Sequence, residues 1–185
     1  SFVGKVANSV SVQTTLSGLD GSQIVVYGSV VLLSNERYHS ARTPGVPKSV
    51  GEGGGEANSI KPRKTQLSSM TPTIVMKNSK PYIIVGTPGG TTIPTSVYQS
   101  IVNVIDFKLN PNMAVNTPKF HHQWLPEIVE VTTNFPETTI SDLEKKNYKI
   151  ERISGIGRTE MIVVDEQGNA TAVADGKGDD SVAIE

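Results

Sequence analysis

Hydrophobic and polar positions alternate from Asn8 to Leu16, where Val10, Val12 and Thr14 interleave with polar neighbours. A period of two is that of a half-buried strand. The β-branched run from about Gln23 to Leu33 repeats it around Gly28, so two or three antiparallel strands are expected here. Thr71 to Lys77 and Pro81 to Gly86 are two further apolar β-type runs, and Asn78-Ser79-Lys80 between them predicts a hairpin with a short turn. The period then changes. Val97, Ile101, Val104 and Ile105 step by four, three and one, laying one apolar stripe along a helix. Asn110-Pro111 ends that helix or starts a shorter one through Ala114 and Val115. Ser141-x-x-Glu144 has capping-box spacing and predicts a short helix with Ile140 and Leu143 on its inner side. Glu160 to Asp165 and Ala170 to Ala174, joined by Glu166-Gln167-Gly168-Asn169, predict a last hairpin. This order of elements places the chain in the α+β class, a mainly antiparallel sheet with helices packed on it.

The patterned stretches are interrupted once. Residues 41–66 hold Pro44, Pro47 and Pro62 with the run Gly51-Glu52-Gly53-Gly54-Gly55-Glu56 and almost no apolar side chains, which predicts a long surface loop, most mobile over Gly51 to Gly55. A loop of this length inside a domain is usually a lid, a binding loop or a linker. The 185 residues suffice for one domain, residues 1–185, or for a subunit of something larger. With 17 basic and 18 acidic residues the formal charge is −1, which gives nucleic acid or an anionic membrane no electrostatic footprint. The longest apolar runs, such as Ile24 to Tyr27 and Val30 to Leu33, are far shorter than the roughly 20 residues of a membrane span. The absence of cysteine excludes thiol catalysis and thiolate metal sites and fits either a cytosolic or an exported protein.

Candidate chemistry concentrates in three places. Gly86-Thr87-Pro88-Gly89-Gly90 lies at a strand-to-helix junction, where successive backbone N–H groups can face an anion or an oxyanion, or simply form a tight turn. Leu67-Ser68-Ser69-Met70 precedes a strand, and its two hydroxyls either bind a carboxylate or serve the turn. Phe120-His121-His122-Gln123-Trp124-Leu125-Pro126 is the densest polar and aromatic cluster. Neighbouring residues on a strand point to opposite faces and only His39 remains elsewhere, so a packing role is expected for the pair and no metal site. Asp175-Gly176-Lys177-Gly178-Asp179-Asp180 lacks the glycine and terminal glutamate of a calcium loop and reads as a solvated turn.

Leu67 to Val75, then Gly86 to Gly90, then Phe120 to Pro126, in that order and at these separations, closely resemble the small subunit of γ-glutamyltransferases, also called glutathione hydrolases. The similarity extends backward through Pro44-Gly45-Val46-Pro47 and Gly54-Gly55-Glu56-Ala57-Asn58, and forward through Gly157-Arg158, Val163-Val164-Asp165 and Ala174-Asp175. The resemblance implies an N-terminal-nucleophile hydrolase, a four-layer αββα sandwich, of which this chain is the small-subunit half. It also implies a self-cleaving precursor that supplies a large subunit as partner, export to the periplasm or the medium, and no cofactor. In that family the new N-terminal Thr of the small subunit attacks the γ-glutamyl amide, with its own α-amino group as base. The acyl group then passes to water or to an acceptor amino acid or peptide. By motif, Ser68 and Ser69 would bind the substrate α-carboxylate, the N–H groups of Gly89 and Gly90 would form the oxyanion hole, and Thr15 would sit beside the nucleophile and assist it.

The first 40 residues depart from the family pattern. Alignment through Asn8 to Val12 places the nucleophilic Thr about four residues ahead of Ser1. Ser1 would lie about 13 Å from that position at strand spacing and does not replace it. Glu36 is retained as a candidate for the substrate α-amino group, but the aspartate expected to pair with that amine aligns with His39, and Ser17 stands where an asparagine is usual. The alternatives to an ordinary γ-glutamyltransferase are an acylase or poly-γ-glutamate hydrolase of the same superfamily, or a non-catalytic homologue.

Overall fold

In the computed structural model, which describes residues 1–4, 8–18, 20–35, 39–41, 43, 45–46 and 54–183, the chain gathers into two units, residues 1–13 with 70–185 and residues 14–69. In the first unit β1 (Phe2–Val3) pairs antiparallel with β2 (Ser9–Val10). The strand expected over Asn8 to Leu16 is regular only at Ser9 and Val10. Its alternation is real but of opposite sense, since Ser9, Ser11 and Gln13 turn inward while Val10 and Val12 are exposed. The surface beneath is the reason. Ser11 Oγ donates to Val85 O at 2.9 Å and Gln13 Nε2 donates to Thr87 O, so the segment meets backbone carbonyls that need donors.

The expected hairpin forms from β3 (Thr73–Lys77) and β4 (Lys80–Gly86). Asn78 and Ser79 both take left-handed φ angles, 51° and 60°, which is the two-residue turn that matches strand twist. β4 continues onto β8 (Glu160–Val164), and β8 onto β9 (Ala170–Ala174), completing a four-stranded antiparallel sheet in the order β3-β4-β8-β9. At the last turn the Asp165 carboxylate accepts the Asn169 N–H and Nδ2, each at 2.8 Å, which holds its carboxyl below the usual range.

Helix α1 (Ile93–Ile105) carries the predicted stripe, and α2 (Pro111–Asn116) starts where Asn110 Oδ1 accepts the Met113 N–H at 2.9 Å. Ile93, Val97 and Val104 of α1 and Ala114 and Val115 of α2 pack with Ile83, Val85 and Met161 into the main core. Each fully buried aliphatic side chain contributes about 1.5–3 kcal/mol. Alternation along β4 sends Ile84 and Gly86 to the other face, where Ser11 and Gln13 lie against Gly86.

A second sheet was not legible in the pattern. β5 (Phe120–His122) runs antiparallel to β6 (Val129–Thr132), and β6 runs parallel to β7 (Ile150–Ile153), with α3 (Glu137–Glu144) connecting the parallel pair. Val129, Val131 and Ile140 form its small core. Helix α3 begins after Pro136 rather than at Ser141. The Ser141 carbonyl accepts Lys145 N–H at 3.0 Å, so the capping-box spacing falls in the last turn, while Glu137 occupies the first turn. Gln99 fastens β5 to α1 by exchanging hydrogen bonds with the Phe120 backbone, donating to its carbonyl at 2.8 Å and accepting its N–H at 3.1 Å.

The second unit holds the pair expected near residues 23–33, reduced to a single bridge between Val25 and Leu32. Val26 N–H donates to Val31 O and Leu33 N–H to Ile24 O, both at 3.0 Å. The loop over residues 41–66 is pinned at Ala41 and Ser59. Ala41 and Ser59 are bridged and buried, and a 3-10 turn spans Glu56–Asn58. Of the glycines expected to be most mobile, Gly51 to Gly53 lie outside the described residues.

Between α2 and β5 the Lys119 side chain is fully buried and its Nζ donates to Val115 O at the end of α2. Burial first, and then the Lys177 charge, push its ammonium down to about 8, with Asp175 acting in the opposite sense. An unfolded lysine keeps its proton to about pH 10.4. Between these two values the unfolded chain binds the extra proton, so native stability rises with pH there. Denaturant unfolding of the full-length protein should therefore show the wild type gaining about 3 kcal/mol on Lys119→Met as the pH rises from about 8 to 10.5. A flat difference would mean that Lys119 is hydrated.

Candidate functional site

Thr87, at the end of β4, is buried and fixed on two sides. Its hydroxyl donates to Pro88 O at 2.9 Å and accepts the Arg158 N–H at 2.7 Å. Gly89 follows at φ +143° and Gly90 at φ +59°, leading into a 3-10 turn over Gly90–Thr92 and then α1. The Thr92 hydroxyl donates to Gly89 O at 2.9 Å. A Cβ at Gly89 would stand 2.6 Å from Thr92 Oγ1 and 3.3 Å from Gly157 Cα. One at Gly157 would stand 2.4 Å from Ser96 Oγ and 2.7 Å from Thr87 Oγ1. The turn is thus pressed onto the 156–158 loop with no room for a side chain on either backbone. Among the described residues neither the Gly89 nor the Gly90 amide donates a hydrogen bond, and the space over Gly90 is open. Two backbone donors at the N-terminal end of a helix are suited to developing negative charge.

Gln13 reaches this turn from the segment of inward polar residues. Its Nε2 donates to Thr87 O, and its Oε1 accepts the Thr71 N–H at 2.8 Å. Nothing in the local pattern singles this residue out, because Val10 and Val12 ahead of it define the apolar alternation. The signal available was that Ser9, Ser11 and Gln13 share the same period.

The other expected site residues belong to the second unit. Thr15 is exposed and lies in irregular chain rather than in a strand, and its Oγ1 accepts the Ser17 N–H at 2.8 Å. Ser17 Oγ and His39 Nε2 are hydrogen-bonded at 2.9 Å, and Asn58 Nδ2 donates to His39 O at 2.6 Å. Asn35 holds the same turn, its Oδ1 accepting the Gly18 N–H at 2.8 Å and its N–H donating to Leu16 O at 3.0 Å. Thr15, Ser17 and His39 are thereby brought together. Ser68, exposed, and Ser69, half-buried, end this unit just ahead of β3. Glu36 lies outside the described residues.

The histidine pair divides as strand geometry requires, with His121 buried and His122 exposed. His121 Nδ1 meets Thr95 Oγ1 at 2.8 Å and Nε2 meets Gln123 Oε1 at 2.9 Å, so both ring nitrogens are occupied in packing β5 on α1. The Asp175 turn is not solvated at its first residue. Asp175 is buried and accepts the Lys177 N–H at 3.0 Å and Lys177 Nζ at 3.3 Å. Next to the turn, Glu160 pairs with Gly86, and burial, then the Asp180 charge, raises its carboxyl pKa.

Known proteins resemble this chain over nearly its whole length. The chain is 41% identical over 182 residues to the glutathione hydrolase proenzyme of Escherichia coli K12, covering 98% of this chain and 31% of that protein. It therefore spans about three tenths of the length of that relative. The crystal structure of the Helicobacter pylori gamma-glutamyltranspeptidase T380A mutant matches with a TM-score of 0.90 and 37% identity, over 96% of this chain and 97% of that one. Gamma-glutamyltranspeptidase from Pseudomonas nitroreducens, complexed with L-DON, matches with a TM-score of 0.92 and 32% identity, over 100% and 97%. The fold is the N-terminal-nucleophile hydrolase fold of these structures, as the motifs led one to expect. The family model described as gamma-glutamyltranspeptidase matches residues 1–184, and with a match of that extent the chain belongs to the gamma-glutamyltranspeptidase family.

Proposed function

We propose that this chain is the small-subunit part of an exported γ-glutamyltransferase that cleaves γ-glutamyl amides such as glutathione. The observation that carries the reading is the turn at Gly89 and Gly90, two unengaged backbone donors held rigidly ahead of α1. In acyl transfer the carbonyl oxygen gains charge as the nucleophile attacks, and fixed donors aimed at it lower that barrier. The attacking hydroxyl is that of the N-terminal threonine implied by the family resemblance, deprotonated by its own amine. Its bond to the γ-carbonyl carbon forms as the carbonyl oxygen swings toward Gly89 and Gly90. The proton passes to the leaving amine, and the acyl group then moves to water or to an acceptor amine. Ser68 and Ser69 supply hydroxyl donors for the α-carboxylate, while Thr15 supports the nucleophile.

The partner in this reading is the large subunit from the same precursor. Support comes from the second unit, where Ile24 to Tyr27 and Val30 to Leu33 are all exposed, eight large apolar side chains on one short hairpin. An apolar surface of this kind is characteristic of an interface. Among the described residues no helix is long and apolar enough to cross a membrane.

One observation favours a second reading of the substrate. The hydrogen-bonded pair Ser17 and His39 offers an imidazole, which brings no countercharge to an ammonium. An acylase acting on a dicarboxylic acyl group without an α-amino group, a glutaryl amide for example, would suit that pair.

Turnover of a γ-glutamyl anilide by the full-length protein is the test of the first reading, and no turnover removes it. A glutaryl anilide preferred over the γ-glutamyl one would select the second, and under the first, His39→Asp should raise kcat/KM for the γ-glutamyl substrate about tenfold by supplying the countercharge. Gly89→Ala should lower kcat by about 10²–10³, because it displaces an oxyanion donor. Ser68→Ala combined with Ser69→Ala should raise KM by roughly tenfold or more with a smaller change in kcat, since hydrogen bonds to a charged group are lost.

A further inference from the structure

Gln13 touches two segments that are distant in sequence, 58 residues away at Thr71 and 74 residues away at Thr87. The chemistry of the contacts admits one orientation of its amide. The Thr71 N–H can only donate and the Thr87 carbonyl can only accept, so Oε1 faces the first and Nε2 the second. A glutamine serves both at once. Ionised glutamate would keep the acceptor and lose the donor, and asparagine is one methylene shorter. Each anchor point lies two residues from a candidate site residue. Thr87 precedes Gly89 by two, Thr71 follows Ser69 by two, and Gln13 itself precedes Thr15 by two.

The Thr87 carbonyl is the last backbone group before Pro88, which has no N–H of its own to fix the turn. The Thr87 side chain is engaged with Arg158 N–H and Pro88 O, and among the described residues the hydrogen bond that reaches the Thr87 carbonyl itself, and so helps to set the 87–88 peptide plane, comes from Gln13. That plane sets the direction in which the chain enters Gly89. Ser11, two residues earlier, makes the equivalent contact two residues upstream at Val85 O, so this segment is registered on the end of β4 by side chains.

We propose that Gln13 is a positioning residue for acyl transfer, a clamp that fixes the Gly89-Gly90 donors through Thr87 and the start of β3 through Thr71. Its catalytic consequence rests on the γ-glutamyltransferase reading, whereas the clamp itself does not. Two variants of the full-length protein separate its parts. Gln13→Glu keeps the acceptor for Thr71 and withdraws the donor from Thr87, and should lower kcat about tenfold or more on a γ-glutamyl anilide with KM changed less than about threefold. Protonation of the new carboxyl restores the donor, so kcat relative to wild type at the same pH should recover as the pH falls toward about 5. Loss of packing alone would show no such recovery. Gln13→Ala should speed hydrogen exchange at the Thr71 amide by about tenfold or more in the resting protein. Unchanged exchange overturns the clamp, and unchanged kcat in an active protein overturns its catalytic role. If the wild type turns over no γ-glutamyl anilide, the functional reading and the catalytic role fall together, and the exchange result still decides the clamp.

Discussion

The close approach of two backbones, at Gly89 and at Gly157, is the constraint around which the first unit is organised. A single methylene-sized atom on either residue would enter the contact radius of Thr92, Ser96 or Thr87. The seal is tightened from both sides by polar groups, Thr87 Oγ1 accepting the Arg158 N–H and Ser96 Oγ donating to Ile156 O at 3.1 Å. The hydrophobic core under α1 supplies the stability against which this contact is held, and β4 and β8 deliver the two loops to it from adjacent strands. Rigid donors cost no reorganisation when charge develops in front of them, which is why such a turn suits acyl transfer.

Local signals carried a large part of this fold. The two hairpins of the main sheet were readable because each joins apolar β-branched runs through residues that tolerate a turn, Asn78-Ser79 in one and Asp165 to Asn169 in the other. The α1 stripe was readable because its spacing fits only a helix. The sheet of β5, β6 and β7 was not, since strands of three or four residues leave too few positions to establish a period. Capping-box spacing misplaced α3 for a related reason. Ser and Glu three apart recur by chance, and the first turn was decided instead by Pro136 and Glu137.

The candidate site shows a similar division. Gly89, Gly90, Ser68 and Ser69 stood in recognisable strings, and the buried His121 with its exposed neighbour followed from strand geometry alone. Gln13 and the Ser17 to His39 contact depend on pairing across 22 to 74 residues, which no local pattern encodes. Apolar residues usually form the inner face of such a strand, which would place Val10 and Val12 there. Here the inner surface is a row of carbonyls, and the polar residues of the segment answer it.

The exposed hairpin around Tyr27 has a consequence for biosynthesis. Eight large apolar side chains would, on a chain released alone, find one another in neighbouring copies before a covering partner arrived by diffusion. A covalent link to the covering segment would convert that encounter into an intramolecular one at millimolar effective concentration. Under the proposed small-subunit reading, synthesis as one polypeptide with cleavage only after folding would outrun self-association, and the order of events would matter as much as the final contacts.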